Sequence, residues 1–149
     1  MAIFDLRRAA AATVLLALAG TAPAQSGPRT VQMTAGIYVI TAEVANDEAT
    51  RERGLMYREG LLPNHGMLFL FDAHEKHCMW MRNTLIPLAV AFIDDDGTIA
   101  NIEEMKARTD DTHCAAHPVR YALEMSSGWF SSRGIKAGMK IGKMNANGD

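Results

Sequence analysis

The side chains in this sequence best suited to chemistry are two cysteines, their neighbouring histidines and a group of methionines. His77-Cys78 and His113-Cys114-Ala115-Ala116-His117 set imidazole and thiol donors close together. Donors of this kind suit zinc or copper. The same two cysteines are the only ones in the chain, and in an oxidising compartment an even count points to a disulfide. A Cys78–Cys114 bridge would close a long loop and contribute roughly 3–4 kcal/mol by restricting the unfolded chain. Both readings, disulfide and metal site, rest on the same atoms and exclude one another. Met56, Met67, Met79 and Met81 gather around Trp80 in the sequence. Thioethers bind Cu(I), and they equally fill cores beside aromatic rings.

A second set is polar and embedded among apolar stretches. Arg53, Arg58, Trp80, Arg82, Asn83 and Glu124 form a candidate ligand-binding pocket, with Thr84 and Asp94 nearby in the same segments. Arginine offers a forked donor for a carboxylate or phosphate, and Trp80 or Trp129 can stack on a ring or sugar. A few convergent polar groups in an apolar wall make the usual small-ligand site. Asp94 and Glu124 can also be read as an acid/base pair of the kind that hydrolyses sugars. The structural alternative is that arginine–carboxylate pairs tie loops to the framework, Asn83-Thr84 caps a turn, and Asp94 serves a hairpin turn.

Other chemistries lack their motifs. The sequence has no Gly-x-x-x-x-Gly-Lys phosphate loop, no Gly-x-Ser-x-Gly elbow and no Cys-x-x-Cys. In His74-Glu75-Lys76-His77 the histidines stand three apart, not the four of a zinc-protease helix. No cofactor is therefore expected. The net charge is −2, and no basic stripe marks a nucleic-acid partner.

The N-terminus reads as a secretory leader over 1–24. Arg7 and Arg8 precede an apolar stretch from Ala9 to Ala19, and Ala22-Pro23-Ala24 supplies small residues for cleavage before Gln25. The apolar stretch falls short of the roughly 20 residues of a membrane span, which argues against an uncleaved anchor. Losing this leader removes two bases and one acid, for a mature net charge of −3. No later segment is long and apolar enough to span a membrane as a helix. The expected location is the periplasm or the exterior.

The elements that must position these residues are short. Residues 25–30 read as a flexible lead-in, 31–144 as a single domain, and 145–149 as a loose tail. Val31–Thr34 and Ile37–Ala45 predict a hairpin about Ala35-Gly36. Asn46 reads as the cap of a short helix over 47–53, closed by Gly54. Met67–Phe71, Cys78–Met81, Leu88–Ile93, Thr98–Glu103, Val119–Met125 and Met139–Met144 predict strands. Asp95-Asp96-Gly97 is a strong turn, while Asp72–Lys76 and Lys106–His117 read as polar surface loops. The fold class is mainly β, with a minor α component: a compact antiparallel sandwich or barrel with one short helix.

Several of these segments together resemble one family. They are Glu52-Arg53-Gly54-Leu55-Met56 with Arg58, Gly66-Met67-Leu68-Phe69 with Phe71, and Met79-Trp80-Met81-Arg82-Asn83-Thr84 with Ile86-Pro87-Leu88. Phe92, Asp94 and Gly97 follow, then Leu123-Glu124, Gly128-Trp129, Gly134-Ile135 and Gly138. The order and spacing, from Val31 to Ile141, resemble domain of unknown function 192. The resemblance implies a mainly β single domain, often exported in bacteria, and no assigned reaction. Arg82 stands where many relatives carry Lys, and Ala89 stands where a polar or acidic residue is common. The sequence thus reads as an exported domain that binds a small molecule or an envelope component. Metal handling and hydrolysis through Asp94 and Glu124 are the alternatives.

Overall fold

The computed structural model describes residues 27–144; the leader assigned to 1–24 and the tail assigned to 145–149 lie outside these. Nine strands are formed: β1 Thr30–Ala35, β2 Tyr38–Ala45, β3 His65–Glu75, β4 Cys78–Met79, β5 Leu88–Ile93, β6 Ile99–Met105, β7 His113–Cys114, β8 Val119–Ser126 and β9 Ile141–Gly142. One helix, α1 Glu48–Arg53, and one 3-10 turn, Ser131–Arg133, complete the secondary structure of the described residues.

Seven strands make one curled sheet in the order β6-β5-β8-β3-β2-β1-β9, and β4 pairs with β7 in a separate ribbon. The sheet is a half-barrel whose two edges meet. Thr98, just before β6, bridges Lys140, just before β9, and Ile141 N–H donates to the Gly97 carbonyl at 2.9 Å. Gly97 permits this approach: its φ is 86°, and a Cβ there would press on the Ile141 carbonyl oxygen. Tying the edges together protects them from pairing with other chains.

The mainly β expectation holds, with one difference of topology. β2 and β3 run parallel, Thr41 opposite His65 and Ala45 opposite Phe69. A parallel pair needs a crossover, and α1 with the loop over 54–64 provides it. The first hairpin forms in the expected place, with Ala35 opposite Tyr38. The helix cap moves one residue, from Asn46 to Asp47. Asp47 accepts from Thr50 N–H at 2.9 Å while the Asp47 N–H donates to the Thr50 hydroxyl oxygen, a reciprocal capping box.

Two expected loops contain strand. β3 runs on through Asp72–Glu75, where Glu75 still faces Val119 of β8 beyond a bulge. Lys106–His117 contains β7, because cross-strand pairing to β4 outweighs the polar composition of the segment. Conversely, the strand expected over Cys78–Met81 stops at Met79, and Asn83 turns the chain with φ 61°. The last strand shrinks from Met139–Met144 to Ile141–Gly142.

Both faces of the sheet are buried. Leu68, Ala89, Ala91, Leu123 and Met125 pack on one face with Met33, Ile40, Trp129 and Phe130. Met67, Phe69, Val90, Phe92 and Ala122 pack on the other, beneath Leu55, Met79, Met81 and Ala115. This two-sided burial explains why β5 is an unbroken apolar run: every residue from Leu88 to Ile93 is buried. Each fully buried side chain of this size contributes roughly 1.5–3 kcal/mol.

Candidate functional site

The second face carries the site. Its cover is the segment from α1 through Met56 and the β4–β7 ribbon, and the ribbon is pinned covalently. Cys78 and Cys114 stand directly opposite each other and are joined in a disulfide, with Cα atoms 4.0 Å apart. Their sulfurs are therefore not metal ligands. The described residues hold no group of three or more His, Cys, Asp and Glu side chains arranged for a metal ion. His77 Nε2 donates to the Ala73 carbonyl at 2.9 Å and its ring stacks on Phe71, and His117 Nε2 lies 2.7 Å from Asp94 Oδ1. Met79, in β4, and Met81, just after it, are buried against the second core, the filler role of methionine beside aromatic rings.

Between cover and sheet lies a cleft of about 220 Å3. Phe69 and Phe71 wall it from β3, Cys78, Met79 and Trp80 from the ribbon, and Gly54, Leu55 and Met56 from the end of α1. Phe69 and Phe71 stack with ring centroids 6.4 Å apart. Gly54 closes α1 with φ 46°, a backbone conformation that favours glycine, and its Cα faces the Phe69 ring.

Three polar side chains matter most in this apolar setting. Glu124 sits in the middle of β8, with Met67 of β3 and Val90 of β5 as its ladder neighbours. It is 4% exposed and lines the cleft, and among the described residues no hydrogen bond or ion pair reaches its carboxyl. Burial alone pushes its pKa up to about 8. The carboxyl is thus mostly neutral near neutral pH. Thr84, 5% exposed, lines the same cleft. Arg53, the last residue of α1, is exposed at the rim, and no ion pair with a described residue holds its guanidinium. Arg53 also lines two further clefts that share residues with the first.

Of the residues singled out by type and spacing, Arg53, Trp80 and Glu124 meet at this cleft. Arg58 lines a neighbouring cleft with Arg53 and is paired with Glu43 at 2.7 Å. Arg82 donates to Asp110 at 2.7 Å and stacks on Trp80 at 4.6 Å, so it touches the cleft only through that ring. Asn83 is the turn residue whose carbonyl accepts from Tyr57 N–H. Trp129 lies in the other core, its indole donating to Asn64 at 3.0 Å. Asp94 and Glu124 do not form a pair. Asp94 continues β5 four residues past Val90, the partner of Glu124, which is roughly 13 Å along the strand. That exceeds the separation of about 5–9.5 Å used by paired glycosidase carboxylates.

Phe69 and Phe71 complete the wall and were not picked out as site residues in the sequence, whereas Met56, Met79 and Thr84, which also line it, were named there as methionine and polar candidates. The usable signal was the alternation Met67, Phe69, Phe71, which puts three large side chains on one face of β3. Arg51, beside Arg53, is occupied by Asp72 at 2.7 Å and by the Leu70 carbonyl at 2.9 Å.

This fold has counterparts. A model of the DUF192 family, described as an uncharacterized ACR, matches residues 30–142. The chain belongs to the DUF192 family. A structure from Novosphingobium aromaticivorans DSM 12444, described as a protein of unknown function, is 33% identical with a TM-score of 0.75, covering 80% of this chain and 89% of that one. A structure from Sinorhizobium meliloti 1021, provisionally called a transcription regulator, is 36% identical with a TM-score of 0.70, covering 75% of this chain and 90% of that one. No curated protein matches the chain. Within this DUF192 domain, Ala89 is fully buried in the first core. The described residues contain no helix long and apolar enough to cross a membrane.

Proposed function

We propose that this domain is an exported binding protein whose cleft between β3, β8 and the disulfide-pinned ribbon takes a small organic molecule. One observation carries the reading: Glu124, a carboxyl that is buried, lacks a protein partner among the described residues and borders open space. Buried polar groups in native proteins are almost always satisfied, so an unsatisfied one facing a cavity is a group held ready for something that enters it. The aromatic wall of Phe69, Phe71 and Trp80 supplies apolar contact area, and Glu124, Thr84 and Arg53 supply direction. Export is supported by the leader pattern over 1–24 and by the disulfide, a bond that persists in oxidising compartments.

Fragment binding followed by NMR tests the reading. A library of small aromatic and aliphatic polar molecules is expected to shift the signals of Phe69, Phe71, Met79 and Thr84 together. Shifts scattered over the surface, or none at these residues, would overturn it.

A further inference from the structure

The binding reading leaves the chemistry of the ligand open, and the charges around the cleft narrow it. Every charged side chain lining the cleft comes from α1 or from β8. α1 contributes Arg51, Glu52 and Arg53, and β8 contributes Glu124; the lining residues from β3 and β4 are aromatic, sulfur-bearing or apolar. Arg51 is already committed to Asp72 and the Leu70 carbonyl. Glu52 and Arg53 are exposed at the rim, and Glu124 is buried. The cleft therefore carries a buried acid, Glu124, an aromatic wall of Phe69, Phe71 and Trp80, and an exposed rim where Arg53 stands beside Glu52.

Resting on that reading and deepening it, we infer that the ligand is a zwitterion of the ω-amino acid type, with an ammonium on Glu124, an apolar spacer along Phe69, Phe71 and Trp80, and a carboxylate on Arg53. An entering ammonium gives the buried carboxyl an opposite charge in a low-dielectric site, where such a pair is strongest. The aromatic faces favour the same cation. A ligand carboxylate beside Glu124 would meet a like charge. At the rim the same group finds an arginine with two parallel N–H donors and no described competitor. Pairing to an ammonium must also drive off the proton that burial keeps on Glu124, because its pKa of about 8 then falls below the working pH.

Isothermal titration of the full chain at about pH 7, in two buffers of different ionisation enthalpy, separates the possibilities. The probes are 6-aminohexanoate, hexylamine, hexanoate and 1-hexanol. The expected result is that 6-aminohexanoate binds about 10-fold more tightly than hexylamine and still more tightly than the others, with net release of protons on binding. Glu124→Gln should weaken 6-aminohexanoate about 100-fold and abolish the proton release, and Arg53→Ala should bring it to the level of hexylamine. Circular dichroism of each variant checks that the fold is retained. If hexanoate or 1-hexanol binds as well as 6-aminohexanoate, or no proton is released, the zwitterion is overturned while the binding cleft stands. If none of the four binds, the zwitterion is overturned, and the fragment shifts at Phe69, Phe71, Met79 and Thr84 decide the binding cleft separately.

Discussion

Replacing Glu124 by Gln should make this protein more stable, and by an amount that depends on pH in a defined way. Gln keeps the shape and stays neutral. Below pH 4.5, the ordinary value, the glutamic acid is protonated in both folded and unfolded chains, so the two proteins should match. Between 4.5 and about 8 the unfolded chain gives up a proton that the folded chain retains. Proton binding then favours the folded form at the acid end, and stability falls as pH rises through this window. Above about 8 the folded carboxyl ionises too and the loss is complete. At about 1.4 kcal/mol per pH unit the full penalty is about 5 kcal/mol, and about 3 kcal/mol has accrued by pH 7. For a domain of this size that is about 10 °C or more in melting temperature near pH 7. Thermal melts of wild type and Glu124→Gln from about pH 4 to pH 9 provide the assay, since other titrating groups cancel in the difference between the two proteins. A difference that stays flat across the range, or a Gln variant that is less stable at pH 8, would refute the claim that an unpaired carboxyl is buried there.

Three further outcomes follow from the geometry. Cys78→Ser with Cys114→Ser should lower stability by about 3–4 kcal/mol, read by urea denaturation, because the bridge spans 36 residues of chain. Gly66→Ala should cost about 1–3 kcal/mol in the same measurement, because the added Cβ would collide with the Glu124 carbonyl oxygen and the Met125 sulfur where β3 and β8 approach closely. Phe69→Ala should cost about 3–5 kcal/mol and enlarge the cleft, which a crystal structure of the variant would show as added volume beside Gly54.

The Glu124 prediction and the binding proposal are two sides of one arrangement. A neutral, buried, unpaired acid weakens the fold near neutral pH, and residues that do this at a cleft are those whose value lies in what they bind. The ion pairs elsewhere carry no such tension. Arg82–Asp110 and Lys140–Asp96 are well exposed, and pairs of this kind contribute about 0–1 kcal/mol each.

Much of the framework was legible in the sequence because it is decided over a few residues at a time. The bounds of β5 are those of its apolar run, the first hairpin follows its β-branched arms, and Asp95-Asp96-Gly97 turns the chain where it should. The disulfide was one of two readings of the cysteines, and cross-strand pairing of β4 with β7 decided between them. Family membership was legible too, since it rests on the order and spacing of short motifs. The parallel pairing of β2 and β3 was not, because a crossover connection leaves no local mark distinguishing it from a wide hairpin. Nor was the division among the arginines. Arg53, Arg58 and Arg82 look alike in sequence, but Glu43 and Asp110 claim two of them from 15 and 28 residues away. Glu124 was named as a candidate from its apolar context, yet what makes it unusual is its isolation. Desolvation is a sum over everything nearby in space, so only the folding of β3, β5 and the ribbon around it could decide that this acid has no partner.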